Sequence, residues 1–312
     1  MDNKTEISSA TSVGRIVKGV GGLYTIIPDN NPNIRITANA KGTFRHEKIS
    51  PCVGDIAEFE YIGEDKGFIT DIKPRKNLLI RPSCANVDNL VIVACKDSPK
   101  ADLYMLDKLS AVAVYNKIRV LFVFNKCDIS PADELSDIYT RAGFEVVCLS
   151  AANSSSESSE IQKIKDFVKD GISFFAGASG VGKTSLMNVL FPGLSLATGG
   201  LSRKIARGKH TTRATELYRV DISESTYIAD TPGFSSFEVA QLKLIPQEHL
   251  LEAFPEIYAN SDGCVYKDCT HTGEGSDVCN VKKAVEEGTI PASRHESFVR
   301  LYAEISAIKP WD

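Results

Sequence analysis

Apolar and polar positions alternate in short segments broken by glycine across the first quarter of the chain, at 14–20, 23–27, 34–37, 54–60 and 68–72. Period-two patterns of this length and spacing predict a small five-stranded barrel of the oligonucleotide-binding type. From about residue 88 the pattern changes. Apolar runs at 90–94, 120–124, 145–149, 172–176 and 226–229 alternate with helical stretches such as 102–116. That alternation predicts an α/β domain on a mostly parallel sheet. Residues 154–160 read as a polar, serine-rich loop, and after about 240 the pattern turns helical and irregular. No internal repeat is evident.

The apolar runs are strand-sized, and none approaches the ~18 residues a membrane helix needs. The first ten residues contain no apolar core, so no secretory leader is expected. The expected compartment is the cytoplasm, with no membrane partner. Five scattered cysteines, Cys52, Cys84, Cys95, Cys127 and Cys148, are expected to be reduced thiols packing as small hydrophobes. The formal net charge of −4 argues against a dedicated DNA or RNA binder. The charge is uneven, with 7 basic and 12 acidic residues in 241–312. Arg203, Lys204, Arg207, Lys209 and Arg213 crowd positive charge into a short stretch. Such a run reads equally as a solvated loop or as an RNA contact.

The run at 172–176 leads into Gly177, Ala178, Ser179, Gly180, Val181, Gly182, Lys183, Thr184 and Ser185, followed by an apolar helical pattern. This strand, G-x-x-x-x-G-K-[ST], helix order is a phosphate-binding loop. Its glycines let backbone N–H groups curl around a phosphate at a helix N-terminus. Lys183 is placed to reach the β- and γ-phosphates, and the Thr184 hydroxyl to ligate Mg²⁺.

A second strand, 118–124, ends in Asn125, Lys126, Cys127 and Asp128. The Asp128 carboxylate can accept from the ring N–H and exocyclic amine of guanine, a donor pair adenine lacks. Lys126 can cover the base plane, and Asn125 can tie this loop to the phosphate loop. A third strand ends in Ser150 and Ala151, whose backbone can face the guanine carbonyl oxygen. The run at 226–229 leads into Asp230, Thr231, Pro232 and Gly233. Asp230 is a candidate Mg²⁺ holder through water, and the Gly233 N–H a γ-phosphate sensor. Between these motifs lies the stretch 208–213, in which Thr211 or Thr212 supplies the second hydroxyl to Mg²⁺. Phe234 stands where a catalytic glutamine often sits, so unaided hydrolysis is expected to be slow. His210 is the candidate replacement, with an RNA contact as its competing role.

These motifs run in rotated order: base reading at 125–128 and 150–151, phosphate loop at 177–185, switches at 208–213 and 230–233. A circular permutation preserves such a site because its loops all lie at the carboxyl ends of the strands. It also places the second switch next to the C-terminal segment, which is expected to respond to nucleotide state. Identical proteolysis near 235–245 with GDP and with a non-hydrolysable GTP analogue would count against that. Late in the chain, Cys264-x₄-Cys269-x-His271-x₇-Cys279 offers three thiolates and one imidazole. That set suits one closed, structural Zn²⁺ site.

Together these residues resemble the circularly permuted, ribosome small-subunit-dependent GTPase A family of bacteria. Arg81-Pro82, Ala85-Asn-Val-Asp88, the Gly-x-His-Thr-Thr stretch at 208–212 and Cys-Thr-His at 269–271 extend the resemblance over essentially the whole chain. The resemblance implies an OB-type β-barrel over 1–76, a circularly permuted α/β phosphate-loop GTPase domain over 77–240 and an α-helical zinc-binding domain over 241–312. It implies GTP hydrolysis coupled to late maturation of the small ribosomal subunit, contact with its rRNA, and stimulation by that subunit. A monomer is expected. The chain departs from the family pattern in the seven residues between His271 and Cys279, where five are usual, and in Arg213, where a third threonine is usual. Two other readings compete: a regulatory GTPase with a protein partner, disfavoured because no lipidation motif is present, and an RNA-binding scaffold with a structural nucleotide. Intact Lys183, Thr184 and Asp230 disfavour the scaffold.

Overall fold

A computed structural model of the chain describes residues 11–40, 50–80, 83–194, 215–223, 225–230 and 245–307. The alternating N-terminal segments form β1 (Ser12–Val20), β2 (Leu23–Pro28), β3 (Ile36–Ala40), β4 (Ile56–Tyr61) and β5 (Lys66–Ile72). They pair in the order β1-β2-β3-β5-β4, and β4 returns to β1, which closes a five-stranded barrel. All pairings are antiparallel except β3 with β5. Ile16, Ile26, Ile36, Ala38, Ala57, Phe59 and Ile69 fill its interior. The third strand starts two residues later than the apolar pattern suggested. Ile34 sits in the turn before it, packed against the barrel core from outside the ladder.

A short hairpin, β6 (Leu78–Ile80) with β7 (Ser83–Ala85), follows the barrel. The second sheet region comprises β8 (Asn89–Ala94), β9 (Arg119–Phe124), β10 (Glu145–Cys148), β11 (Ile172–Ala176), β12 (Glu216–Arg219) and β13 (Tyr227–Asp230). Its order is β10-β9-β8-β11-β13-β12. The first five strands are parallel and β12 is antiparallel. β12, too short to stand out in the apolar pattern, also pairs with β1 and so links sheet and barrel.

Helices cover both faces of this sheet, as parallel strands require. Alternate strand residues select the face. Leu90, Ile92, Phe122, Phe124 and Phe174 pack under α1 (Leu103–Tyr115) and α2 (Asp133–Arg141). Val91, Val93, Leu121, Val123 and Phe175 pack under α3 (Ser159–Val168) and α4 (Lys183–Leu190). The Asp102 side chain caps α1 by accepting from the Met105 N–H at 3.2 Å, and the Asn116 N–H closes the other end. The expected serine-rich loop is shorter than its polar run, because α3 starts inside it.

The C-terminal part carries α5 (Pro255–Tyr258), α6 (Asn280–Glu286) and α7 (Ala292–Ser306). Phe254, Ile257, Phe298 and Leu301 join the same buried cluster as α1. No helix among the described residues is long and apolar enough to cross a membrane. Of the scattered cysteines, Cys84 and Cys95 are buried, as small hydrophobes are, and Cys52 and Cys127 are partly covered. Cys148 is exposed. It lies at the last position of β10, the edge strand, where no neighbouring strand covers it.

Candidate functional site

The loop 177–182 runs from the end of β11 to the start of α4. Gly177 and Gly182 hold φ of 143° and 95°. A side chain at Gly177 would collide with the Val93 carbonyl, and one at Gly182 with the Asn125 carboxamide. Glycine is therefore required at both positions by backbone angle and by space. Val181 is buried and Ser185 exposed, while Thr184 is half-buried in the first turn of α4. The Lys183 ammonium folds back over the loop and donates to the Gly177 and Ala178 carbonyls at 2.5 and 2.9 Å. Burial pushes its pKa below the usual lysine range. No carboxylate among the described residues pairs with it, so its charge is free to meet an anion.

The loop 125–128 leaves the end of β9 beside this one. Asn125 is 3% exposed. Its Nδ2 donates to the Val181 carbonyl at 2.9 Å, and its Oδ1 accepts the Ala151 N–H at 2.8 Å. One carboxamide thus joins three loops. The Lys126 Nζ donates to the Ser98 and Gly180 carbonyls at 2.6 and 2.7 Å, which lays its stem between the loops. The Cys127 N–H donates to the Leu149 carbonyl at 3.1 Å. Asp128 is exposed, and its Oδ2 accepts from Asn153 Nδ2 at 3.1 Å. Asn153 was not among the expected site residues. Its signal was its place three positions after Ser150, whose carbonyl accepts the Asn153 N–H. Asp230 ends β13, on the same side of the sheet as the other strand ends. His210, Thr211, Thr212 and Gly233 lie outside the described residues, as do Arg81, Pro82, Phe234 and the basic cluster of 203–213.

The three loops therefore converge at the carboxyl ends of parallel strands β10, β9 and β11, with β8 between the last two, on the side where α/β sheets bind nucleotides. A family model described as RsgA GTPase matches residues 72–240, and one described as RsgA N-terminal domain matches residues 13–69. The chain belongs to the RsgA GTPase family. It is a GTPase, and its activity is GTP hydrolysis. The small ribosomal subunit biogenesis GTPase RsgA of Caldanaerobacter subterraneus subsp. tengcongensis is 39% identical over 295 residues, covering 94% of this chain and 95% of the relative. RsgA 2 of Oceanobacillus iheyensis is 36% identical over 303 residues, covering 95% and 98%. Among solved structures, YjeQ from Thermotoga maritima superposes with a TM-score of 0.78 at 30% identity, covering 96% of this chain and all of that one. YloQ, described as a circularly permuted GTPase, gives a TM-score of 0.74 at 30% identity, covering 96% of each chain. The permuted motif order of this chain thus accords with a solved neighbour described as circularly permuted.

The second site lies in the segment between α5 and α6. The ligand atoms of Cys264, Cys269, His271 and Cys279 all lie within 4.8 Å of one another. His271 Nδ1 is 3.7 Å from Cys264 Sγ and 3.5 Å from Cys279 Sγ. Zinc–sulfur and zinc–nitrogen bonds of about 2.3 and 2.0 Å in a tetrahedron require ligand separations of this size. The donor set therefore fits Zn²⁺, and the long His271–Cys279 spacing closes onto it. His271 adopts a left-handed φ of 59°, and its carbonyl lies 2.8 Å from His295 Nε2. The cluster is thereby fastened to α7. The Glu274 carboxylate accepts the Thr270, Thr272 and Gly273 N–H groups. Burial alone would raise its pKa, but these bonds outweigh it and hold the group at about 2.

Proposed function

We propose that this GTPase couples GTP hydrolysis to late maturation of the small ribosomal subunit, and that the subunit stimulates it. The observation that carries the nucleotide reading is the Asn125 carboxamide, which joins the phosphate loop to both base-reading loops. The relatives' names carry the subunit reading.

In this reading three domains, 1–76, 77–240 and 241–312, divide the work. Asp128 and the backbone at Ser150–Ala151 read guanine, and Lys126 covers the base. Cys127 spaces the loop. The loop from Gly177 through Ser185 wraps the phosphates with its N–H groups. Lys183 exchanges its two carbonyl partners for the β- and γ-phosphates, which satisfy its charge better. Mg²⁺ is held by Thr184 and Asp230, with Thr211 or Thr212 as the further hydroxyl. When bound it neutralises charge on the phosphate oxygens. Gly233 senses the γ-phosphate, and His210 orients the attacking water in place of the glutamine that Phe234 displaces. Cys264, Cys269, His271 and Cys279 hold one structural Zn²⁺. The protein works as a cytoplasmic monomer on rRNA of the small subunit, not on DNA.

The test is GTP turnover with and without purified small subunits, with ATP and large subunits as controls. Strong stimulation by small subunits alone is expected. GTP turnover indifferent to them would remove the ribosomal partner and leave the GTPase. His210→Ala with unchanged stimulated turnover would remove His210 from catalysis.

A further inference from the structure

Cys127 lies in the loop after β9 and Cys148 ends β10, and the fold brings the two backbones side by side. β9 and β10 run parallel with Cys148 beside Phe124. The Leu149 N–H donates to the Phe124 carbonyl at 2.9 Å, and the Cys127 N–H donates back to the Leu149 carbonyl at 3.1 Å. This pair of backbone bonds folds the base-reading loop over the end of β10. The Cys127 thiol, packed against the apolar cluster under α2, donates at 3.2 Å to the carbonyl of Phe124, the residue that Cys148 faces across the ladder. Cys148 is exposed and Cys127 half-covered. One thiol is therefore open to a soluble oxidant, and the other waits against it. No charged group is needed to bring them together, because the β-ladder does so.

We propose that Cys127 and Cys148 are a covalent modification site, forming a reversible disulfide when a peroxide oxidises the chain. The Cys148 thiolate attacks one peroxide oxygen. The O–O bond breaks, the sulfur becomes a sulfenic acid, and water leaves. The Cys127 sulfur then displaces the hydroxyl from that sulfur, passing its own proton to the departing oxygen as a second water. Two thiols lose two electrons and two protons, and the peroxide is reduced to two waters. In a reducing cytosol such a bond is transient, as sensing disulfides are. Thiol exchange with a small dithiol restores both cysteines.

The expected consequence is on nucleotide affinity, which rests on the base-reading role assigned to 125–128 above. A disulfide holds its sulfurs about 2 Å apart, closer than two unbonded thiols can lie. Drawing Cys127 toward β10 breaks its bond to the Phe124 carbonyl and carries the adjacent Asp128 away from the geometry that Asn153 supports.

The experiment treats the full-length protein with hydrogen peroxide, maps disulfide-linked peptides without reduction, and measures affinity for a fluorescent GDP before and after. A linked peptide pair containing Cys127 and Cys148 is expected, with GDP affinity lowered about tenfold and restored by dithiothreitol. Cys148→Ser keeps the reduced protein's GDP affinity and loses both the linked pair and the peroxide effect. Peptides that show Cys148 overoxidised or free, with no 127–148 link, would overturn the proposal. So would an equal loss of affinity in Cys148→Ser, since that loss would come from other thiols than the 127–148 pair. If the reduced protein fails to bind GDP at all, the base-reading role falls instead, while the peptide map still decides the disulfide.

Discussion

Arg294 and Asp107 form an ion pair at 2.9 Å with both side chains out of solvent, at 0% and 1% exposure. The pair joins α7 to α1 across 187 positions of sequence. Arg294 also grips Glu256 with two bonds, at 2.7 and 3.2 Å, and donates to Ser110 Oγ at 3.1 Å. The Tyr139 hydroxyl donates to the same Asp107 oxygen at 2.9 Å. The ring of Phe254 lies under the guanidinium. Burial opposes the charge of Arg294, but its two carboxylate partners outweigh burial and raise its pKa. The C-terminal helices are thus anchored to the nucleotide-binding sheet through α1, the helix that follows β8.

Arg294→Ala leaves two carboxylates buried with no counter-charge. The expected loss of stability is about 3–5 kcal/mol, the usual cost of breaking a buried pair. Arg294→Lys keeps the charge without the planar fork and falls between the two. Denaturant midpoints read both. A loss under about 1 kcal/mol for Arg294→Ala would show that the Arg294 network contributes little to holding the C-terminal helices on α1.

Asn125→Ala removes the one side chain common to the three loops. It leaves the Val181 carbonyl and the Ala151 N–H without their partner in a buried place. Each unpaired group costs roughly 1–3 kcal/mol. GDP and GTP affinity should both fall by roughly a hundredfold, because the lost bonds support the loops rather than a particular phosphate. Calorimetric titration of either nucleotide checks this, and an affinity within twofold of the native chain would refute it.

The convergence of the three loops on one side of the sheet is legible in the sequence, and the reason is chemical. Phosphate wrapping needs glycine where the backbone turns left-handed, as it does at Gly177 and Gly182, and the guanine contact proposed for Asp128 needs a carboxylate, so residue identity and spacing carry the message. The Cys264–Cys279 cluster is legible for the same reason. The barrel reads from its alternation, except where Ile34 packs from a turn and mimics a strand position. The Arg294 network is not legible. Its partners, Asp107 and Glu256, sit far apart along the chain, and an arginine in a helix gives no sign of burial. Nor does the short strand β12, whose pairing with β1 comes from tertiary contact rather than a local pattern.

Breaking the proposed zinc-binding set should loosen the C-terminal part first. Cys279→Ser is expected to purify with far less than one zinc per chain and to unfold at a lower temperature than the native protein. Native protein should contain one. Because the His271 carbonyl is bound to His295, the loss extends into α7 and lowers helical signal in circular dichroism. Elemental analysis showing no zinc in native protein would reject the site.

The Cys127 thiol should respond to pH in a defined direction. Burial, and then the neighbouring Cys148 thiol, push its pKa up to about 11. At pH 8 the thiolate is then on the order of one molecule in a thousand. Its alkylation rate should climb roughly tenfold for each pH unit from 8 to 10. Cys148→Ser removes one of the raising influences, so Cys127 should react faster at pH 8 in that variant. Quantitative peptide mass spectrometry follows each cysteine separately. A rate that levels off below pH 9 would contradict the burial argument.

Asn153 offers the sharpest separation of binding from stability. Its amide donates to the carboxylate that is to read guanine, and both side chains are exposed at the rim of the site. A hydrogen bond between exposed groups adds little to folding, about 0–1 kcal/mol. Orienting Asp128 before the base arrives, however, lowers the ordering cost of binding. Asn153→Ala should therefore leave the melting temperature unchanged and weaken GTP roughly three- to tenfold. ATP, which makes no use of Asp128, should bind as poorly as before, so the margin between the two nucleotides narrows. Competition titrations with both nucleotides measure that margin. A variant that loses GTP and thermal stability together would mark Asn153 as a structural residue of the loop rather than a support for base recognition.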